Sequence, residues 1–386
     1  LNNRVVIVTG ELSGEVHAAN LVRAVNALSP MSFSGMGSGI LRDAGVHVIE
    51  DYRKISITGM GLIDVLSKAG HIRRAFRVLK EHLSKTSPRL LVLVDFPGFN
   101  LRIARLARRL GIPVVYFVAP QVWAWHKSRM RQIKANVSLV LSILPFEEAF
   151  YRQWGVPVSY VGHPYGKLVR PIHSKEAFYE VCAVSEDRPV ITMMPGSRQN
   201  EARKHMPILV EVMKHLDREV GRHTVLLPVA DTLAADFFNP FLKGRDNVIQ
   251  VRGLAHDSLA YSDAAVIASG SAVLEAAILG VPSCVFYKIS YLEYLVARMV
   301  VKVPYISLPN IIAGKEVFPE FVGSVKPERI AKTVASMLHI DRSAVQRDLE
   351  EIRNRLTASG TDPYQIAALA ILSFLEQTHG PVSQTA

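Results

Sequence analysis

Two hydrophobic signatures alternate along the chain. Short unbroken apolar runs, such as V-V-I-V at 5–8, L-L-V-L-V at 90–94, V-V-Y-F-V at 114–118 and A-A-V-I-A at 264–268, read as strands buried on both faces of a parallel sheet. Other stretches repeat their apolar residues every three or four positions. The clearest, 62–85, places Leu62, Val65, Leu66, Ala69, Ile72, Phe76, Leu79 and Leu83 on one helical face. The pattern predicts strands at 4–9, 89–94, 114–118, 138–144 and 158–161, and again at 191–194, 225–228, 248–251, 264–268 and 283–287, separated by helices. Further helices are expected at 294–303, 329–338, 342–356 and 363–376, with a flexible glycine loop at 35–39 and an irregular segment at 307–316. Two such runs imply an α/β protein of two doubly wound, Rossmann-like domains facing across a cleft, with ligands at the strand C-terminal ends. The boundaries are placed at 1–165 and 166–356. The remainder, 357–386, is a helix and polar tail, and whether it returns to the first domain is left open.

The loops after the strands carry the candidate chemistry. In the second half, Ser269, Gly270 and Ser271 break an apolar run just before a helix ending at Gly280. Free amides and the positive helix end converge there, which suits an anion; Glu275, one turn on, suits sugar hydroxyls. The alternative is an ordinary strand-to-helix junction. The loop P-G-S-R at 195–198 adds a second anion site, with Ser197 amides approaching a phosphate and Arg198 gripping it. In the first half the loop T-G-E-L-S-G-E-V-H at 9–17 offers Glu11, Ser13, Gly14, Glu15 and His17. It lacks the G-x-G-x-x-G spacing of a dinucleotide site. Asp95 follows a buried strand directly, where desolvation raises a carboxyl pKa and makes a general base; the alternative is a helix cap, although Pro97 and Gly98 defer the helix to about Asn100. The turn A-P-Q-V-W-A-W at 119–125 is either a packed corner or a stacking wall formed by Gln121, Trp123 and Trp125. The 62–85 helix is flanked by Lys68, Arg73, Arg74, Arg77 and Lys80, which fits either a solvated surface helix or one lying on an anionic membrane.

Composition narrows these readings. Hydrophobic residues make up 49% of the 386 and charged residues 20%, a globular balance rather than a disordered one. Lys and Arg total 45 against 34 Asp and Glu, a formal charge of +11 that favours anionic partners: phosphorylated substrates, a membrane face or nucleic acid. Two separated cysteines, Cys182 and Cys284, exclude a disulfide framework and fit a reducing compartment. No signal peptide and no apolar run long enough to span a bilayer is expected.

These motifs together resemble the lipid-A-disaccharide synthase family over nearly the whole length. The resemblance rests on G-E-L-S-G-E at 10–15, V-D-F-P-G-F-N at 94–100, P-Q-V-W-A-W at 120–125, L-P-F-E at 144–147, G-H at 162–163, P-G-S-R at 195–198, A-S-G-S-A-V-L-E at 268–275 and S-L-P-N at 307–310. Glu15, Gln121 and Ser271 stand where the family usually carries Asp, Ser and Thr. The resemblance implies an inverting glycosyltransferase of the GT-B fold, peripheral on the inner face of the inner membrane and using no metal or cofactor. Its donor would be UDP-2,3-diacylglucosamine and its acceptor 2,3-diacylglucosamine 1-phosphate, joined as a β-1,6-linked disaccharide 1-phosphate with release of UDP. Asp95 is then the preferred base, with Glu15 and His17 as lesser candidates. Arg198 and the 269–271 amides take the leaving diphosphate, Glu275 the ribose, and Asn310 and Glu316 lie near the donor. Arg73, Arg74, Phe76 and Arg77 meet anionic lipid. The rivals are another UDP-sugar transferase or a UDP-N-acetylglucosamine 2-epimerase on the same fold, and a non-catalytic lipid- or nucleotide-binding protein; nucleic-acid binding would explain the charge but not the loop motifs.

Overall fold

A computed structural model describes residues 3–54, 62–123, 129–289, 303–339, 341, 343–357 and 360–379. The helix expected at 294–303 falls almost wholly outside them, as does Trp125. The chain divides into two compact units, one of Leu1–Pro164 with Leu356–Ala386 and one of Tyr165–Arg355.

Among the described residues the first unit holds seven parallel strands: β1 (Arg4–Val8), β2 (Ser32–Gly37), β3 (His47–Asp51), β4 (Leu90–Val94), β5 (Val114–Phe117), β6 (Leu139–Ser142) and β7 (Val158–Tyr160). Their order is β3-β2-β1-β4-β5-β6-β7. The chain therefore builds outward one way from β1, then returns to its other side and builds outward again. In register, Val5–Val8 pairs with Phe33–Met36 on one side and Leu90–Leu93 on the other. The loops after β1 and β4 thus part at the point where the strand order reverses, which is where open α/β sheets admit ligands.

Helices cover both faces. The helices α3 (Leu62–Thr86), α4 (Pro97–Arg109), α5 (Arg129–Asn136) and α6 (Glu147–Gln153) pack on one side, with Leu79, Leu83, Ile103, Ala107, Met130 and Tyr151 against the sheet. On the other lie α1 (Leu12–Leu28) and α2 (Gly39–Asp43), joined by the last helix, Pro363–His379. Tyr364, Ala367, Ala368, Ile371 and Leu375 of that last helix are buried with Ala18, Leu21, Val22 and Val25 of α1. The chain's end is therefore part of the first unit's core.

The second unit repeats the plan with β8 (Val190–Met194), β9 (Thr224–Val229), β10 (Val248–Arg252), β11 (Ala264–Ala268), β12 (Ser283–Tyr287) and β13 (Glu320–Val322), in the order β10-β9-β8-β11-β12-β13. All pairs are parallel, and the reversal lies between β8 and β11, with Ile191–Met194 against Ala264–Ile267. Helices α7 (Tyr165–Leu168) and α8 (Lys175–Cys182) precede β8 and α9 (Gln199–Glu219) follows it; α10 (Ala255–Ala260) and α11 (Ser271–Leu279) flank β11.

Three strands escape the apolar-run pattern. β2 and β3 are S-F-S-G-M-G and H-V-I-E-D, and β13 has three residues; each lies toward a sheet edge, where neighbours rather than intrinsic preference hold the strand. The glycine loop expected at 35–39 is instead mostly strand. Gly35 belongs to β2, and a Cβ there would sit 1.8 Å from the Ile7 carbonyl oxygen, so only glycine permits the pairing with β1. The segment at 307–316, expected to be irregular, contains a short helix, Leu308–Ala313, entered through Pro309. Truncating Ile371 to Ala in the last helix should destabilise the protein by about 2–5 kcal/mol, read as a shift in urea midpoint; an unchanged midpoint would show that this helix adds nothing to the core.

Candidate functional site

At the end of β4 the backbone is forced out of its ordinary range. Asp95 and Phe96 both have φ of 49°, and Val118, at the end of neighbouring β5, has φ of 53°. Left-handed geometry is costly for side chains other than glycine, roughly 1–3 kcal/mol each, and persists where surrounding contacts over-determine it. Here the contacts are identifiable. Asn100 donates from Nδ2 to the Asp95 carbonyl at 2.7 Å and to the Val94 carbonyl at 3.2 Å, and the Tyr116 hydroxyl donates to the Asp95 carbonyl at 2.7 Å. Phe96 packs on Phe99, with ring centroids 5.7 Å apart. Asp95 is not a helix cap: Phe96 occupies the N-cap, and α4 begins directly at Pro97, whose missing N–H costs nothing in the first turn. The expected delay to Asn100 does not occur.

Pinning the Asp95 carbonyl leaves its carboxylate for other work. Burial pushes its pKa up to about 6, and the nearby Glu11 charge adds to the rise. Gly14 lets α1 approach closely, since a Cβ there would lie 3.4 Å from the Asp95 Cβ and 2.7 Å from Thr9 Oγ1. The carboxylate faces a cavity of about 420 Å³ lined by Asp95, Pro97, Val118, Ala119, Pro120, Gln121, Val122 and Arg129. That size falls within the range of pockets that enclose small ligands.

The loop expected at 9–17 ends at Glu11, the N-cap of α1, so Ser13, Gly14, Glu15 and His17 lie on the helix, and several of these first-unit candidates have structural duties. Glu15 is fully buried and accepts from the Ser38 amide at 2.5 Å, the Ser38 hydroxyl at 2.6 Å and the Leu41 amide at 3.1 Å. It fastens α2 to α1 and is not free to serve as a base. His17 shares a 2.9 Å hydrogen bond through Nδ1 with Tyr364 of the last helix, and burial lowers its pKa to about 4. Trp123 is buried and donates from Nε1 to Glu147 at 3.0 Å, with its ring edge-on to Phe146. The tryptophan turn is therefore a packed corner at Trp123, and Gln121 is the exposed residue that reaches the cavity. Phe76 is partly buried and packs edge-on to Phe99, whereas Arg73, Arg74 and Arg77 are exposed.

In the second unit the two anion loops lie on adjacent strands, β8 and β11, at the reversal. Ser197 and Arg198 are exposed in the first loop; Arg198 is 3.3 Å from Glu201, with 72% of its side chain accessible, so the pair is weak and the guanidinium can re-aim. His205 of α9 shares a 2.8 Å hydrogen bond through Nδ1 with the Pro195 carbonyl, and its Nε2 accepts from the Lys288 amide at 3.4 Å. That bridge fixes the loop and, with it, the tautomer. In the second loop the Ser269 amide is already committed to the Phe286 carbonyl at 2.9 Å. This corrects the expectation of three free amides: Gly270, the N-cap of α11, and the first residues of the helix supply the donors.

Glu275 lies one turn into α11, with 16% of its side chain accessible and Oε2 3.3 Å from His256 Nε2 of α10. Its hydrogen bond raises the His256 pKa. Tyr165 shares a hydrogen bond with Ser271 and feels the Glu275 charge. His256 and Tyr165 carried no sequence signal, since neither lies in a strand-end loop. Asn310 is not a ligand residue. It is fully buried, accepts from the Val317 and Phe318 amides at 2.8 and 2.9 Å, and donates to the Phe318 carbonyl and Glu320. The S-L-P-N motif is thus a latch: Ser307 also donates to Glu320, from its amide and its hydroxyl. Glu316 is exposed beside it.

Residues 5–371 match the family described as lipid-A-disaccharide synthetase. The chain is 38% identical over 380 residues to the lipid-A-disaccharide synthase of Syntrophus aciditrophicus, covering 97% of this chain and 98% of that one. It is 40% identical over 362 residues to the synthase of Myxococcus xanthus, covering 92% and 94%. Among solved structures it resembles the UDP-GlcNAc 2-epimerase of Neisseria meningitidis bound to UDP-GlcNAc, with a TM-score of 0.62, 13% identity and coverage of 97% and 100%. It also resembles the calicheamicin glycosyltransferase CalG4, with a TM-score of 0.60, 16% identity and coverage of 97% and 99%. At such identities these two likenesses show the GT-B fold alone.

The raised Asp95 pKa has a stability consequence. The folded state holds the Asp95 proton more tightly than the unfolded chain, so Asp95 favours folding below the ordinary aspartate value of 3.8 and loses that contribution as pH rises through about 6. Asp95→Asn should therefore be more stable than the native protein at pH 8, by about 1–3 kcal/mol, with the gain vanishing near pH 4. Urea unfolding at both pH values checks this; a constant difference would contradict it.

Proposed function

The chain belongs to the lipid-A-disaccharide synthase family and is a glycosyltransferase of lipid A biosynthesis; from that premise we propose how its residues divide the reaction. The donor is UDP-2,3-diacylglucosamine and the acceptor 2,3-diacylglucosamine 1-phosphate. Asp95 takes the proton of the acceptor 6-hydroxyl. The oxygen attacks the donor anomeric carbon with inversion, the bond from that carbon to the diphosphate oxygen breaks, and UDP leaves carrying the negative charge. The carrying observation is the Asp95 turn: a strained backbone pinned through its carbonyl, at the lining of a cavity, with a side-chain pKa of about 6 that leaves the carboxylate ionised yet basic near neutrality.

Charge on the leaving diphosphate is met by Arg198 with Ser197, and by Gly270, Ser271 and the N-terminus of α11. Their lodging on adjacent strands supports a single diphosphate site. Glu275, held by His256, accepts from the ribose hydroxyls. No metal or cofactor enters this reading, because fixed protein donors take the charge.

Both substrates carry acyl chains, so the enzyme works at a lipid surface. No helix among the described residues is long and apolar enough to cross a membrane. The docking face in this reading is α3 with α4, whose Arg73, Arg74, Arg77, Arg102, Arg105 and Arg109 are exposed on the same side of the sheet. Such a face suits anionic headgroups on the inner leaflet.

Incubation of the protein with both substrates should yield UDP and disaccharide 1-phosphate. Asp95→Asn and Arg198→Ala should each lower kcat by about 10²-fold or more without loss of folding; near-normal turnover by the Asp95 variant would remove it as the base. The native rate should rise with pH through about 6 and then level, as the base loses its proton. Replacing Arg73, Arg74 and Arg77 together with Gln should weaken binding to vesicles containing anionic lipid about a hundredfold, at roughly 1 kcal/mol for each charge. Unchanged binding in a flotation assay would exclude α3 as the dock.

A further inference from the structure

The Asp95 cavity contains a second charged group to which the reaction above gives no role. Arg129, the first residue of α5, lines the same cavity and is partly buried. No carboxylate among the described residues lies within 4.0 Å of it, although the more exposed Arg53 and Arg152 each have one. Burial and the Asp95 charge push the Tyr116 hydroxyl well above its usual pKa, and the Arg129 charge opposes that rise. The guanidinium is therefore close enough to act on the residue that pins the Asp95 turn. It is nevertheless not paired with Asp95, whose pKa is set by burial, Glu11 and the Phe96 amide.

The cavity thus presents two opposite charges that do not pair, with Pro97, Val118 and Ala119 in the same lining. A partly desolvated guanidinium lacking a counter-charge is an unfavourable state that an anionic ligand relieves. An anion cannot seat beside Asp95, where Glu11 already raises the cost of negative charge. The matching ligand carries an anionic group at one end and a reactive hydroxyl at the other. We propose that Arg129 is a specificity-determining residue for the acceptor, its guanidinium holding the phosphate monoester while Asp95 meets the hydroxyl. This rests on the transferase reading and adds to it the group that distinguishes a phosphorylated acceptor from an unphosphorylated one.

The test is a two-by-two comparison, with 2,3-diacylglucosamine 1-phosphate and 2,3-diacylglucosamine as acceptors for the native protein and for Arg129→Gln. The Gln variant should raise the KM for the phosphorylated acceptor about 10- to 100-fold, the loss of a charge-assisted contact. Its donor KM should stay unchanged, and the unphosphorylated acceptor should be used equally poorly by both proteins. Arg129→Lys, which keeps the charge and the stem, should recover part of the loss and guards against a folding defect in the Gln variant. An equal rise in KM for both acceptors would mark Arg129 as structural and overturn the proposal, as would an unaltered KM for the phosphorylated one. Failure of the native protein to release UDP with either acceptor would instead overturn the transferase reading itself.

Discussion

A parallel sheet whose strand order reverses leaves an opening at the carboxyl edge that its own crossover helices cannot fill. That constraint operates twice in this chain, between β1 and β4 and between β8 and β11. Right-handed crossovers carry successive helices away from each reversal, so the loops on either side part there. Asp95 and the turn at 9–11 that enters α1 border the first opening, and the P-G-S-R and S-G-S loops border the second. Helices bury β1, β4, β8 and β11, and these buried strands anchor the loops at their ends.

The backbone at the first opening is strained. Asp95, Phe96 and Val118 sit in backbone conformations that none would adopt unaided, and Asn100 and Tyr116 spend their hydrogen bonds on the Asp95 carbonyl to hold them. The carboxylate is left unneutralised by any cation within ion-pair distance among the described residues. Its raised pKa follows from burial, with the nearby Glu11 charge adding to the rise.

The contrast with Glu15 shows why carboxylate chemistry is decided by surroundings. Glu15 lies on the helix that packs against Asp95 and is fully buried, but it accepts three hydrogen bonds and serves as a fastener. Glu147 repeats the theme: it accepts from Trp123 and the Leu144 amide, and burial still pushes its pKa up to about 7. Asn310 does the same work with an amide. Motifs that distinguish a family therefore include latches as well as chemistry, and the two are indistinguishable until partners are known.

The sequence by itself determined the alternation of buried strands and helices, because runs such as L-L-V-L-V and a 3.6-residue apolar repeat have few other ways to leave water. It also placed Asp95 and Arg198 in the loops after strands, and Glu275 one turn into a helix, since apolar runs mark where strands stop. It did not disclose β2, β3 or β13, whose short or polar sequences pair through the strands beside them. Nor did it tell Glu15 and Asn310 from ligand residues, or show that Ser269 had lost its amide to Phe286. Only tertiary structure brought His256 to Glu275 and Arg129 to the Asp95 cavity. Hydrophobic burial is local enough in sequence to leave a periodic trace, whereas a hydrogen-bond partner many residues away leaves none.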